Sequence, residues 1–364
     1  MLRFELEDFF DRHEHQSGPI NLASSDALPW DAASLAGSGA LADILAGTLA
    51  YPDVKQSLLP GLEGLCKPPP DIGVLATSGA SEAIALVIHD LFDARVVRDG
   101  HPIVVPSPGY GAFVGLASLL GLPTRSYNYR PHREWAPDLD ELLELSKHCA
   151  ALIVNNPHNP SGHVIPDDIL RTIARQLALR DAILIVDEVF RIPDETESAI
   201  GLGSHVVTIG SLSKIYGLPG LRLGWITANK KRLSRLRTLQ QYFTLTPNGF
   251  AVAIGSFVLK NLDRFSRADL IRSNRNMITA WAEASKDSLS ISHPRGGTTV
   301  CLTVNSKVPA NMLFNDFLRG GVLLAPGGSC FDFARELNWY RLGYGTDAKS
   351  LSCGLAQINQ VLDR

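Results

Sequence analysis

Short runs of uninterrupted apolar residues alternate along the middle of the chain with longer stretches in which apolar residues recur every three or four positions. The runs Ile72–Thr77, Ile103–Val105, Ala151–Val154, Ile183–Val186 and Val206–Ile209 read as strands, with Leu223–Thr227 as one more. The stretches Ser81–Leu91, Tyr110–Leu120 and Asp167–Leu179 between them read as helices. Strands that are apolar on both faces must be covered on both faces. The pattern therefore predicts an α/β fold with a mostly parallel sheet flanked by helices. From about residue 250 onward a long polar helix and short strands around Val300–Val304 predict a smaller α+β unit, joined by the N-terminal segment. The expected division is 45–250 for the large domain, and 1–44 with 251–364 for the small one.

Composition narrows the function classes. The 364 residues are 45% hydrophobic, enough for a large core, and the net charge of −3 offers no basic surface for nucleic acid or an acidic membrane. The basic cluster Lys230, Lys231, Arg232, Arg235 and Arg237 is interleaved with leucines and reads as a solvated helix face. The five cysteines are scattered and show no metal-ligand spacing, which predicts free thiols, no metal site and a cytoplasmic protein. No apolar run is long enough to cross a bilayer, and the acidic, amphipathic N-terminus does not read as a signal peptide.

The candidate chemistry sits where strands end, which is where open α/β sheets bind ligands. Gly79, Ala80 and Ser81 open a helix, and small residues there leave backbone N–H groups free for an anion. Tyr110, just past another strand, could stack on a flat ring or simply pack. In Asn155–Gly162 the pairs Asn156-Pro157 and Asn159-Pro160 impose a rigid turn that can present the Asn159 amide to a ring oxygen; His158 reads as a turn residue. Asp187 ends a buried strand, and a buried carboxylate needs a cationic partner such as a protonated pyridine nitrogen. Glu188, its neighbour, points to the opposite face if the strand continues. After the strand Val206–Ile209 comes Ser211-Leu212-Ser213-Lys214, then a Gly- and Pro-rich loop ending at Arg222. A lysine so placed can form an imine with an aldehyde cofactor while hydroxyls and a guanidinium hold that cofactor's phosphate.

Together these motifs resemble the fold-type I pyridoxal-phosphate enzymes, the aspartate-aminotransferase-like class I/II superfamily, over essentially the whole chain. The resemblance implies pyridoxal 5'-phosphate as cofactor, Lys214 as its lysine and Asp187 as the pyridinium partner. It implies Asn159 at the ring phenolate, Tyr110 stacked on the ring, and Gly79, Ala80, Ser81, Ser211, Ser213 and Arg222 as the phosphate cup. It further implies a homodimer with shared active sites, in which Tyr51 reaches the neighbour's phosphate, and a free amino acid as substrate whose α-carboxylate is clamped by Arg341.

One departure stands out. The family usually carries tyrosine three residues after the aspartate, and here that position is Phe190. A narrower resemblance, in Leu6–Phe9, Pro157–Gly162, Lys214–Arg222 and Pro294–Thr299, is to the capreomycidine-synthase branch, whose members act on hydroxylated arginines and close the guanidine into a ring. For such a substrate Glu7, Asp26 and Asp53 are candidate guanidinium partners, and Ser24 and Ser25 lie in a segment that approaches substrate in relatives. The expected reaction is elimination and cyclisation of a hydroxylated arginine; the alternatives are transfer of an amino group to a keto acid and, remotely, a cofactor-binding sensor domain.

Overall fold

The computed structural model describes residues 3–14, 18–36, 51–93, 100–306, 308–331 and 338–363. The expected domain boundary at 44/45 lies outside the described residues. In chain order the strands are β1 (Ile20–Asn21), β2 (Ile72–Thr77), β3 (Ile103–Ser107), β4 (Thr124–Arg130), β5 (Ala136–Pro137), β6 (Ala151–Asn155) and β7 (Ile183–Asp187). They continue with β8 (Val206–Ser211), β9 (Gly224–Asn229), β10 (Leu289–Ile291), β11 (Thr299–Val304), β12 (Val322–Leu323), β13 (Ala325–Pro326) and β14 (Trp339–Gly343).

Eight of these form one sheet in the order β2-β9-β8-β7-β6-β3-β4-β5. The centre, from β8 through β4, is parallel, and β9 is antiparallel to both its neighbours. Period-two alternation divides the apolar strands between two cores. Ile103, Val105, Ile153, Ile185 and Val207 face one side, under the helix Gly79–Asp93. Val104, Leu152, Val154, Leu184 and Val186 face the other, under the helix Asp167–Ala178. That second helix buries Leu170, Ile173, Ala174 and Leu177, a single stripe at helical spacing. Leu170, Ile173 and Leu177, fully buried, each contribute about 1.5–3 kcal/mol.

The basic cluster departs from its expected role. Arg232 on the helix Lys230–Phe243 is buried, and with Arg235 it pairs with the fully buried Asp90 of the helix Gly79–Asp93. The face is therefore partly an ionic clamp between two helices. Spacing concealed this because the partner lies 142 residues away in sequence.

A second sheet, β10-β11-β14-β13, is antiparallel. The N-terminal segment joins this region: β1 pairs in parallel with β12, and the chain then runs as a strap across the end of β14. Gly343 N donates to Leu22 O at 2.7 Å, Leu28 N to Gly345 O at 2.7 Å, and Thr298 Oγ1 to Ser25 O at 2.6 Å. The strap lies so close that a Cβ on Gly343 would run into Ser24 O, and one on Gly345 into Asp26 O. These two glycines set how near the strap comes to the strand ends. We expect Gly343→Ala to lower stability by about 2 kcal/mol through this overpacking, read as a shift in chemical-denaturation midpoint; a variant as stable as the parent would show that the strap does not lie so close.

Candidate active site

The carboxyl ends of the parallel strands open onto a cavity of about 1270 Å³. On its floor is Asp187, the last residue of β7 and 3% exposed. Its carboxylate accepts a hydrogen bond from Val189 N at 3.1 Å, and no cation lies within ion-pair distance among the described residues. Burial pushes this carboxyl up to about 7. Glu188 faces away: it accepts from Ala199 N at 2.6 Å and Ser198 Oγ at 2.8 Å, and pairs with Arg191 at 3.1 Å. Its own needs are met, and it does not line the cavity.

Beside Asp187, in register on β6, stands Asn155. Its Oδ1 accepts from Asn159 N at 2.7 Å and its Nδ2 donates to Asp187 O at 3.2 Å, which fixes the Asn159 turn onto the end of β7. Sequence reading missed this role; the signal was a polar residue ending an otherwise apolar strand. Both Asn–Pro bonds of the turn are cis. His158 is buried, stacked on Tyr129 at 3.5 Å, with its ring nitrogens at 2.8 Å from Ser161 Oγ and 2.9 Å from Pro108 O. Burial pulls its imidazole down to about 3, so it serves the turn as a neutral ring.

The polar residues around the Lys214 loop form a cup. Ser211 and Ser213 hydroxyls lie 2.8 Å apart, and Ser211 Oγ also accepts from Ser213 N at 2.9 Å. Arg222, held at φ 52°, reaches back across the start of the helix Gly79–Asp93. A Cβ on Gly79 would lie 2.6 Å from the Arg222 Nη2, and Gly79 has φ +84°, so only glycine suits this position. Ala80 backs onto Gly224, and Ser81, in the first helical turn, lines the cavity. Ser211 Oγ turns to Ser213 Oγ and Leu223 O and does not line the cavity, whereas the helix N-terminus, the Ser213 hydroxyl and the Arg222 guanidinium could hold an anion.

Tyr110 and Phe190 line the same cavity. Tyr110 packs against Phe4 of the N-terminal helix, ring centroids 5.3 Å apart. The Phe190 ring centroid is 5.8 Å from Lys214 Nζ. Lys214 Nζ donates to Asp26 Oδ1 at 2.7 Å and to Ser25 Oγ at 3.0 Å, so the strap supplies its partners. Burial would raise the Asp26 carboxyl, but the lysine's charge and hydrogen bond hold it below the usual range.

Arg341, on β14, is 1% exposed. Its Nη2 and Nε donate to Ala23 O at 2.7 and 3.1 Å, and its Nη1 to Asn159 Oδ1 at 3.2 Å. No carboxylate lies within ion-pair distance among the described residues, and burial pulls the group down to about 10. Phe10 and Phe331 lie 5.6 and 5.2 Å from the guanidinium. Glu7, on the helix Glu5–His13, lines the cavity, and burial raises its carboxyl against the pull of Lys214 and Arg341.

Two expected residues lie elsewhere in the single chain. The Asp53 carboxylate caps the helix Val54–Ser57, accepting from Gln56 N at 3.1 Å, and does not line this chain's cavity. Aspartate at such a position is a capping residue first. Tyr51 is 79% exposed and also stands outside the cavity.

The model of a family described as aminotransferase class I and II matches residues 66–354. The chain belongs to that family. Among its relatives, capreomycidine synthase of Streptomyces vinaceus is 32% identical over 81% of this chain and 76% of its own length. A PLP-dependent aminotransferase from Streptococcus suis superposes with a TM-score of 0.86 at 22% identity, over 100% of this chain and 98% of that one. The PLP-dependent cyclase OrfR does so with 0.84 at 24% identity, over 100% and 97%. The two structures carry the fold: this family enzyme has the aspartate-aminotransferase-like architecture that its sequence resembles.

The cofactor of this aminotransferase-family enzyme is pyridoxal 5'-phosphate, and the residues present fit it. The Asp187 carboxylate, with no cation at ion-pair distance among the described residues, could hold a pyridinium nitrogen, and the cup could hold a phosphate. Among the described residues no group of His, Cys, Asp and Glu could hold a metal, and no helix is long and apolar enough to cross a membrane.

The Asp187 carboxyl links pH to the stability of the cofactor-free protein. With its ordinary value of 3.8 raised to about 7, the folded state keeps a proton that the unfolded chain has lost across that window. Its stabilising contribution is complete below about pH 4 and is lost as pH rises through about 7. Cofactor-free Asp187→Asn should therefore lose part of this pH slope and be more stable than the parent at pH 8, although it holds the cofactor less well. Denaturation midpoints at pH 5 and pH 8 check it; an unchanged slope would place the carboxyl's titration elsewhere.

Proposed function

We propose that the enzyme takes a free L-α-amino acid with a cationic guanidine side chain, removes a β- or γ-hydroxyl, and lets the guanidine close onto the chain. The observation that carries the amino-acid reading is Arg341: a buried guanidinium bonded, among the described residues, to carbonyl and amide oxygens is a receptor for a carboxylate. The similarity to capreomycidine synthase supports the cyclisation. Glu7 on the cavity wall supplies the complementary charge for a guanidinium.

Bound pyridoxal 5'-phosphate supplies an electron sink for a carbanion at Cα. The chain's own residues do the rest. Asp187 keeps a cation stable at the sheet end, Arg341 orients the α-carboxylate, and Lys214 Nζ takes the Cα proton. Phe190 offers no hydroxyl where the family usually has one, so Asn159 is left as the turn's polar contribution at that edge of the cavity. The second reading, transfer of an amino group to a keto acid, is favoured by the family match itself.

The two readings separate on stoichiometry. Elimination with ring closure returns the cofactor to its aldehyde form, whereas a transaminase stalls without an acceptor. We expect 3-hydroxyarginine or 4-hydroxyarginine to be converted, by mass spectrometry, to a product lighter by one water with no keto acid present. We also expect Glu7→Gln to weaken these substrates by about 1.5 kcal/mol, the low end for a charge-assisted hydrogen bond. Robust amino transfer from common amino acids to 2-oxoglutarate, with both hydroxyarginines inert, would establish the second reading instead.

Arg341→Lys should impair all α-amino acid substrates alike, because a point charge cannot reproduce a two-pronged contact. Loss confined to one substrate in steady-state kinetics would mean that Arg341 reads a side chain.

The exposure of Tyr51 belongs to the same proposal: a second copy of the chain covers it, and it reaches the neighbour's phosphate. Light scattering should find dimers at assay concentration, and Tyr51→Phe should cost about 1 kcal/mol of cofactor affinity. A fully active monomer would contradict shared sites.

A further inference from the structure

The N-terminal helix Glu5–His13 turns adjoining faces to different tasks. Leu6 and Phe9 are buried in one of the two cores that flank the large sheet, and they anchor the helix there. Phe4, Glu7 and Phe10, each three residues from the next, share the adjoining face and line the cavity. Phe4 is committed to packing. Its ring sits against Tyr110 and fills the space over Gly111, where a Cβ would lie 2.8 Å from the Phe4 Cε2. Phe10 keeps part of its ring on the cavity. Phe9 meets it edge-on, with centroids 5.5 Å apart and an interplanar angle of 71°, and the Arg341 guanidinium carbon lies 5.6 Å from its centroid. The ring thus adjoins both the carboxylate receptor and Glu7. Asp26 is taken by Lys214 at 2.7 Å, whereas no cation lies within ion-pair distance of Glu7 among the described residues.

We propose that Glu7 and Phe10 form a two-part receptor that selects a planar cation: Glu7 takes the edge of the substrate's guanidinium and the Phe10 ring takes its face. This rests on the reading of the substrate as an amino acid with a guanidine side chain, and it names the residue that separates this side chain from other cations. A guanidinium is flat, spreads its charge and is weakly hydrated, so it can lie on an aromatic face while its N–H groups donate to a carboxylate. An ammonium is compact and strongly hydrated and gains less from the ring. A carboxylate alone reads charge, and the ring adds the reading of shape. A face contact also leaves the flat group free to turn in its own plane, the freedom a side chain needs to approach its own chain.

The test titrates the cofactor-loaded enzyme with L-arginine, L-lysine and L-citrulline, read as the change in cofactor absorbance. L-lysine has the charge without the plane, and L-citrulline has the plane without the charge. The parent should bind L-arginine tightest. Phe10→Leu keeps apolar bulk but removes the face, and it should reduce the preference for L-arginine over L-lysine about fivefold. Phe10→Met serves if that variant folds poorly. Phe10→Tyr keeps the face and should keep the preference. Glu7→Gln should weaken L-arginine and L-lysine and spare L-citrulline. A preference for L-arginine over L-lysine that survives intact in Phe10→Leu, or falls equally in Phe10→Tyr, would overturn the proposal and leave Phe10 a packing residue. A parent that binds L-arginine no more tightly than L-citrulline would instead overturn the guanidinium reading itself, and the proposal with it.

Discussion

A carboxylate buried at the end of a parallel strand, with no cation at ion-pair distance among the described residues, is the constraint around which this structure is arranged. Asp187 receives a single backbone N–H, and burial alone would drive it toward the neutral acid. Folding accepts that cost because the two apolar cores on either side of the sheet are large. Under the proposed reading, bound pyridoxal 5'-phosphate would offset that cost by offering a cation to the carboxylate and an anion to the cup.

Arg341 repeats the logic with opposite sign. It is buried on β14, its donors meet neutral oxygens, and aromatic rings shield its flanks. Such a group holds its charge only at a penalty, which a carboxylate would relieve. The strap from Leu22 to Leu28 links the two halves of the arrangement. Its Ala23 O accepts from Arg341, it carries Ser25 and Asp26 to Lys214, and it is held against the end of β14 by Gly343 and Gly345, which leave no room for a side chain. Small shifts of that strap would move both a candidate substrate contact and the partner of the candidate catalytic amine.

Much of the site was legible because its parts are local in sequence. Apolar runs ending in Asp187 and Asn155 mark strands whose ends face one cavity, and the motif Asn155–Gly162 is a turn by its prolines alone. The cap that Asp53 forms was not legible, because an aspartate three residues before a glutamine reads equally as ligand or cap until the hydrogen bond to Gln56 N is seen. Arg232 misled because a leucine-interleaved basic stretch looks solvated until Asp90 arrives from another helix.

What the sequence by itself determined is the set of elements, the α/β class and the family motifs. Hydrophobic periodicity, turn residues and strand-end polar groups act over a few neighbours, so one chain read in order shows them. What only the tertiary structure decided is pairing across distance: Lys214 with Asp26, 188 residues apart, Arg341 with Ala23, 318 apart, and the burial that sets the charge of Asp187. Those depend on how closely separate segments approach and how much water is excluded between them. Spacing along a chain carries neither quantity, because the energy of a buried charge is fixed by its surroundings in space.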